Sequence, residues 1–420
     1  MTNTKTPGGA PPFQGPSSGP LAGLVVADLG RVLAGPYCTM LLGDLGATVI
    51  KVESRTGDET RSWSPPQYGG ESTYFLSVNR NKKSVVLDFD DPDDLALGRR
   101  LLERSDIVIE NFKPGGLSRF GLDYDDVHVA NPDVIYASIS GFGELGGAGL
   151  PGYDLLVQAL SGMMDLTGSP ESEGYRAGVA VFDVITGLHA LSGILAALHH
   201  RDLTGEGQHL TLNLMASALS GMVNQTGGYV LSGQVPQRLG NDHPSIYPYA
   251  PFPTREGDIV LTIGNDQQFR LLCAALDLAA LPDDPRFASN TSRSENREHL
   301  RPLLTERLST RSASDWFEEL SSKRVPCAPK LDVAGGIDFA RRIGLDPVVD
   351  VGGVGRHMAG IRHPVSFSRT PASYDVAPPV LDSSGDEVRS WLSQEHDHAV
   401  AGVEDAVTPV DDDLLARTTR

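Results

Sequence analysis

The first 140 residues alternate short β-branched runs with helical stretches. The runs are LVVAD (24–28), TVIKVE (48–53), SVVLDF (84–89), DIVIEN (106–111) and DVIYASIS (133–140). Helical patterns around Pro36–Leu45, Pro92–Arg104 and Asp123–Ala130 lie between them. Strand, helix and strand at this spacing make a βαβ unit, and a series of them predicts a mostly parallel, doubly wound sheet. In such sheets ligands bind at the carboxyl ends of the strands, where helix N-termini offer free N–H groups to anions. The turn Gly30–Pro36 (GRVLAGP) falls at that place, although it is neither GxGxxG nor GxxxxGK[ST].

Downstream, apolar periodicity predicts helices over Tyr153–Leu166, Ile185–Arg201 and Met215–Leu231, with a strand at Gln208–Leu212. Composition shifts after Gly233. Gly240–Thr254 reads as a loop rich in Pro and aromatics, and Asp258 to Arg324 reads as a smaller α+β module. We therefore expect a mobile tail over 1–20, a large domain over 21–225 and a small domain over 226–330. The segment 331–420 is expected to return to the large domain. The tail lacks a basic region followed by an apolar one, so no secretory signal is expected. No apolar run is read as long enough for a bilayer span, so no membrane association is expected.

Three cysteines, Cys38, Cys273 and Cys327, are too few and too widely spaced for a disulfide framework or a zinc site. No metal is expected, and a reducing cytoplasm fits best. The formal charge of −19 argues against nucleic acid as a partner. That charge is uneven: residues 1–120 hold 13 Lys+Arg against 14 Asp+Glu, and the remainder hold 22 against 40. An anionic nucleotide is better tolerated by the first segment.

Several segments carry possible chemistry, each beside a plainer reading. Asn79–Lys83 (NRNKK) either grips phosphates or forms a solvated turn. Asn111–Arg119 (NFKPGGLSR) either stacks a purine and pairs a phosphate through Arg119, or only caps a helix. Asp154 (GYDLLVQ) and Asp183 (VAVFDVITG) are carboxylates in apolar surroundings, where a helix cap competes with a reactive role. Glu171 (TGSPESEG) lies on a turn-rich loop, where a reactive group is accessible but a solvated Glu is common.

In this order, LAGPYCTMLLGDLGATVIKVE (33–53), YFLSVNRNKKSVVLD (74–88), DIVIENFKPGGLSRFGL (106–122), PGYDLLVQALSGMMDLTG (151–168), GILAALHHRDLTGEGQHL (193–210) and RLGNDHPSIYPY (238–249) resemble the class III CoA-transferases. The resemblance covers roughly 21–330 well and the last 90 residues more loosely. It implies an α/β fold with a Rossmann-like large domain and a smaller α+β domain, assembled as an interlocked homodimer. It implies no permanently bound cofactor. Coenzyme A and acyl-CoA are substrates, with a small carboxylic acid as the second partner. Positions matching the family's CoA contacts are Arg31, Ala34, Leu87, Asn111, Phe112 and Arg119, while Asp90 stands where a CoA-contacting Lys is found in the family. Aligned without a gap, Glu171 takes the place of the family's nucleophilic Asp, with Asp154 and Asp183 as the other carboxylates of the site. Asn241 and His243, on a loop expected to exclude water, are placed near the acceptor acid.

The expected chemistry is acyl exchange through a side-chain carboxylate, by way of an acyl anhydride and an enzyme–CoA thioester. The nearest rival is a 2-methylacyl-CoA racemase. Racemases of the superfamily use a His where Tyr153 stands here, which removes a base poised near neutral pH. A CoA-binding protein without turnover is the other alternative.

Overall fold

In the computed structural model, which describes residues 19–394 except 354, thirteen strands occur in chain order. They are β1 (Val25–Asp28), β2 (Thr48–Glu53), β3 (Gln67–Tyr68), β4 (Glu71–Ser72), β5 (Lys82–Val86), β6 (Ile107–Glu110), β7 (Ile135–Ser140), β8 (Gln208–Asn213), β9 (Tyr249–Pro253), β10 (Asp258–Thr262), β11 (Cys327–Pro329), β12 (Val348–Gly353) and β13 (Arg356–Ile361). Six form one sheet in the order β5-β2-β1-β6-β7-β8, and every pairing in it is parallel. β1 and β6 are neighbours whose chain connections run to opposite sides, so the crevice at their carboxyl ends is the switch point of the sheet. The expected Rossmann-like arrangement is present.

The inner strands β1, β6 and β7 are rich in Val, Ile and Ala because both faces are covered. One apolar layer holds Val26, Ile107, Ile135 and Ala137 with Cys38, Leu42, Phe182, Ala190 and Ile194 from the helices. The other holds Val25, Ile50, Val85 and Val108 with Leu101, Leu102, Val388 and Trp391. The end of the described chain thus packs on the large sheet. Arg104 donates to the carbonyls of Trp391 and Gln394, and Val86 N–H donates to Asp382.

The smaller body has an antiparallel sheet, β11-β10-β9, whose apolar side packs on Phe269, Leu272, Leu304, Trp316 and Leu320. The stretch read as a loop over 240–254 therefore contains β9. Pairing with β10 supplies the order that a Pro-rich sequence does not announce locally.

Two expected helices are interrupted. The 153–166 pattern breaks at Gly162, in the left-handed region at φ 89°, into Asp154–Leu160 and Met163–Leu166. The 215–231 pattern breaks at Val223, φ 36°, into Leu214–Gly221 and Asn224–Ser232. One helix also corrects the reading of apolar runs. Val181–Thr204 is long and apolar enough, by length and composition, to cross a bilayer. It lies instead along the large sheet, with Phe182, Ala190, Ile194 and Ala197 in the core, and leaves Leu188, Leu195 and Leu203 exposed.

Candidate active site

The turn after β1 is held from two sides. Asn111, just beyond β6, clasps the backbone of Arg31: its Oδ1 accepts the Arg31 N–H and its Nδ2 donates to the Arg31 carbonyl, both at 2.8 Å. Val32 is forced to φ 67°, an unusual conformation for a β-branched residue. Strain of this kind persists only where surrounding contacts over-determine it.

The long helix meets this turn through Gly187. A Cβ there would stand 2.7 Å from the carbonyl oxygen of Ala34. The missing side chain lets the first turns of Val181–Thr204 close on the N-terminus of Ala34–Asp44, and Asp183 is carried to the switch-point crevice.

Asp183 is the third residue of its helix, and Ala180 at the cap position offers no side-chain acceptor. Asp154 takes that part from another helix. Its Oδ1 accepts the N–H groups of Phe182 at 2.8 Å and Asp183 at 3.3 Å, and its Oδ2 accepts from Gln158 Nε2. Gln158 is itself fixed, because its Oε1 accepts the Ala177 N–H at 2.8 Å. Asp154 therefore has both of its oxygens engaged. Asp183 does not: burial first, and the neighbouring Asp154 charge second, push its carboxyl up to about 7, with no hydrogen bond opposing the shift.

Both aspartates line a chamber of 290 Å³ with Arg31, Ala34, Asn111, Phe112 and Tyr153. A trough of 470 Å³ adjoins it, lined by Arg55, Leu87, Asp90 and Arg119. Arg31, Glu59 and Phe112 belong to the walls of both. At this waist Arg31 pairs with Glu59 at 3.3 Å and lies 5.3 Å from the Phe112 ring centre. In the trough Arg55 pairs with Asp88 at 2.8 Å, and Arg119 approaches Asp90 at 3.5 Å while lying 4.2 Å from the Phe120 ring centre. A larger cavity of 850 Å³ runs beside β6, β7 and β8, but it lacks Asp183 and is lined by Glu110, Asp123, Asp125 and Glu144. That acidic wall is a poor match for a nucleotide phosphate.

The residues expected to contact CoA are thus brought together along one path. Arg31, Ala34, Asn111 and Phe112 stand at the chamber, and Leu87 and Arg119 stand at the trough. Other expected site residues stand elsewhere in the single chain. Glu171 is exposed and absent from the chamber lining, on a turn whose Ser172 N–H donates to Ser169 and whose neighbour Gly168 accepts from Gly240. Asn241 and His243 follow Gly240 on the small-body side. They too are absent from the chamber lining, and His243 stacks near Tyr249. The phosphate-gripping reading of Asn79–Lys83 fails because Arg80 and Asn81 are buried on Asp44, and Lys82 is buried on Asp28.

Tyr74 was not singled out by sequence reasoning. Its hydroxyl is pushed up to about 12 by burial and by the charges of Asp183, Asp154 and Asp58, and Trp63 packs edge-on against its ring at 5.2 Å. The only signal is its place at the head of the YFLSVNRNKK motif. Among the described residues no group of three or more His, Cys, Asp or Glu is arranged to hold a metal.

A doubly wound sheet with a carboxylate chamber and a guanidinium-bordered trough at its switch point defines a binding crevice for an anionic substrate, with acids at its inner end. The chain belongs to CoA-transferase family III, whose model matches residues 21–384. It is 41% identical to a succinate–glutarate CoA-transferase of Agrobacterium fabrum, over 89% of this chain and 96% of that one. It is 42% identical to the human succinyl-CoA:glutarate CoA-transferase, over 74% of this chain and 71% of that one. A crystal structure of a CAIB/BAIF family protein from Brucella suis superposes with a TM-score of 0.82 at 40% identity, covering 89% of this chain and all of that one. The protein is a CoA-transferase, moving coenzyme A between an acyl-CoA and a carboxylic acid.

Proposed function

We propose that Asp183, rather than Glu171, is the carboxylate that carries coenzyme A. One observation supports this above the rest: Asp183 is a carboxyl free of hydrogen bonds in the chamber, beside an Asp154 whose oxygens are committed to the helix N-terminus and Gln158. A carboxylate made more basic by burial is a better nucleophile, and its neighbour keeps it in place.

Asp183 attacks the thioester carbonyl, the C–S bond breaks, and CoA leaves as thiolate, giving an acyl–Asp183 anhydride. The thiolate attacks the Asp183 carbonyl carbon and expels the donor acid, leaving an Asp183–CoA thioester. The acceptor carboxylate then attacks that carbon and releases thiolate. Thiolate takes the new acyl group and restores the Asp183 carboxylate. The nucleotide lies in the trough beside Leu87, Arg55 and Arg119. The pantetheine arm passes the waist at Arg31 and Phe112, so that sulfur reaches Asp183.

The relatives named above act on succinate and glutarate, which supports succinyl-CoA as donor and a small dicarboxylic acid as acceptor. The exposed leucines of Val181–Thr204, with Tyr229, Val230 and Leu231 on the next helices, support the interlocked homodimer. In that assembly the loop with Asn241 and His243 would complete a partner's chamber. The three unpaired cysteines fit a reducing cytoplasm.

The test is intact-mass analysis after adding succinyl-CoA, then trapping with borohydride or hydroxylamine and peptide mapping. The label belongs on Asp183. Labelling of Glu171 or Asp154, with Asp183 unmodified, would discard the assignment.

A further inference from the structure

Lys51 and Asp58 form an ion pair at 2.9 Å, and neither side chain is exposed to solvent. A buried charge pair is weak evidence for stability, because desolvation offsets much of the attraction. The contacts of this pair point elsewhere. Lys51 Nζ also donates to the Gly30 carbonyl at 2.8 Å. Asp58 Oδ2 accepts the Val32 N–H at 3.3 Å. Both partners are thus attached to the turn that presents Arg31 and holds Val32 at positive φ.

The other oxygen of Asp58 serves the facing wall. Asp58 Oδ1 accepts the Thr60 N–H at 3.0 Å and the Thr60 hydroxyl at 2.7 Å, capping the short turn Glu59–Ser62. That turn presents Glu59, the partner of Arg31 across the waist. Glu53 fixes Asp58 in turn by accepting its N–H at 2.9 Å. One buried carboxylate therefore joins the two wall segments between trough and chamber, and Lys51 holds it charged. The lowering of the Asp58 carboxyl to about 2, against its burial, is due mainly to Lys51.

We propose that Lys51 and Asp58 are positioning residues for acyl-CoA, setting the spacing of the Arg31 and Glu59 walls through which the pantetheine arm passes. Both residues border the trough, but their side chains are closed to solvent and act through Gly30, Val32 and Thr60. This rests on the reading that the arm runs from trough to chamber.

Lys51→Met keeps the length of the side chain and removes both donated bonds; Asp58→Asn keeps the shape and removes the charge. In each, KM for succinyl-CoA rises ~10-fold or more, while kcat at saturation stays within about 3-fold and KM for the acceptor acid is unchanged, the pattern of lost uniform binding. Asp58→Asn decides the matter if Lys51→Met does not fold. A folded variant with lowered Tm and an unaltered KM for succinyl-CoA makes the pair merely structural and overturns the proposal, as does an equal rise in both KM values. Failure of the unmodified enzyme to bind CoA in a titration overturns the underlying route instead.

Discussion

The carboxylate of Asp154 accepts the backbone N–H of Asp183, so one acid holds in place the helix turn that presents the other. The arrangement divides labour between two like groups. Asp154 spends its lone pairs on structure and contributes its charge; Asp183 keeps its lone pairs and is made more basic by that charge and by burial.

Removing the Asp183 carboxylate therefore stops the relay while leaving the trough intact. Asp183→Asn is expected to lower kcat by ~10³-fold or more, with CoA affinity within about 3-fold. Steady-state rates and a CoA titration measure the two quantities separately. A variant with ordinary turnover would eliminate Asp183 as nucleophile.

The pH dependence follows from the raised Asp183 group. The reactive form is the anion, so kcat/KM for the free enzyme rises with pH around an inflection near 7. Asp154→Asn removes the neighbouring charge and moves that inflection to lower pH. An inflection that stays put shows that burial alone sets it.

The same shift has a stability consequence of opposite sense. Between about pH 4 and 7 the folded chain binds a proton at Asp183 that the unfolded chain has released, so stability falls as pH rises through this window. Asp183→Asn is expected to melt above the unmodified protein at pH 8, with the gap closing by pH 4. Thermal melts at the two pH values check this; a gap that widens on acidification contradicts it.

Glu171 is exposed and outside the chamber. Glu171→Gln is expected to keep kcat and both KM values within about 2-fold. A collapse of turnover in this variant would return the relay to the loop.

Asp90 stands 3.5 Å from Arg119, where it would compete with the nucleotide phosphate of the proposed site. An exposed pair of this kind is worth roughly 0.2–1 kcal/mol. Asp90→Asn should therefore lower KM for succinyl-CoA by about 1.5- to 5-fold in dilute buffer, and less at high salt. An unchanged KM places the phosphates elsewhere.

Leu231 is 90% exposed in the single chain, on a helix with Tyr229 and Val230 also outward. Leu231→Glu is expected to shift the solution mass from dimer toward monomer and to reduce turnover with it. Light scattering after gel filtration reads the mass. A dimer of unaltered stability removes this helix from the interface.

The parallel sheet was legible because both of its faces are covered, and continuous β-branched runs announce that environment locally. That Arg31 and Asn111 fall at the crevice was legible from their places after strands, but their mutual clasp was not, because it joins residues 80 apart in the chain. Helix interruptions at Gly162 and Val223, and the strand β9, depended on distant partners and left weaker local traces.

The sequence alone determined the fold class, because strand periodicity is a local property, and its ordered motifs carried the resemblance that implies CoA-transferase chemistry. It pointed to Glu171 as the relay, with Asp154 and Asp183 as the other carboxylates of the site. Only the tertiary structure shows their different surroundings, because those depend on which donors reach a carboxylate and how much water is around it, and on these surroundings the Asp183 proposal rests. Asp154 meets the N–H groups of a helix 28 residues further on, Glu171 meets solvent, and Asp183 is left half-buried with no hydrogen bond to its carboxylate. Neither hydrogen-bond saturation nor burial is written in the spacing of acidic residues along a chain.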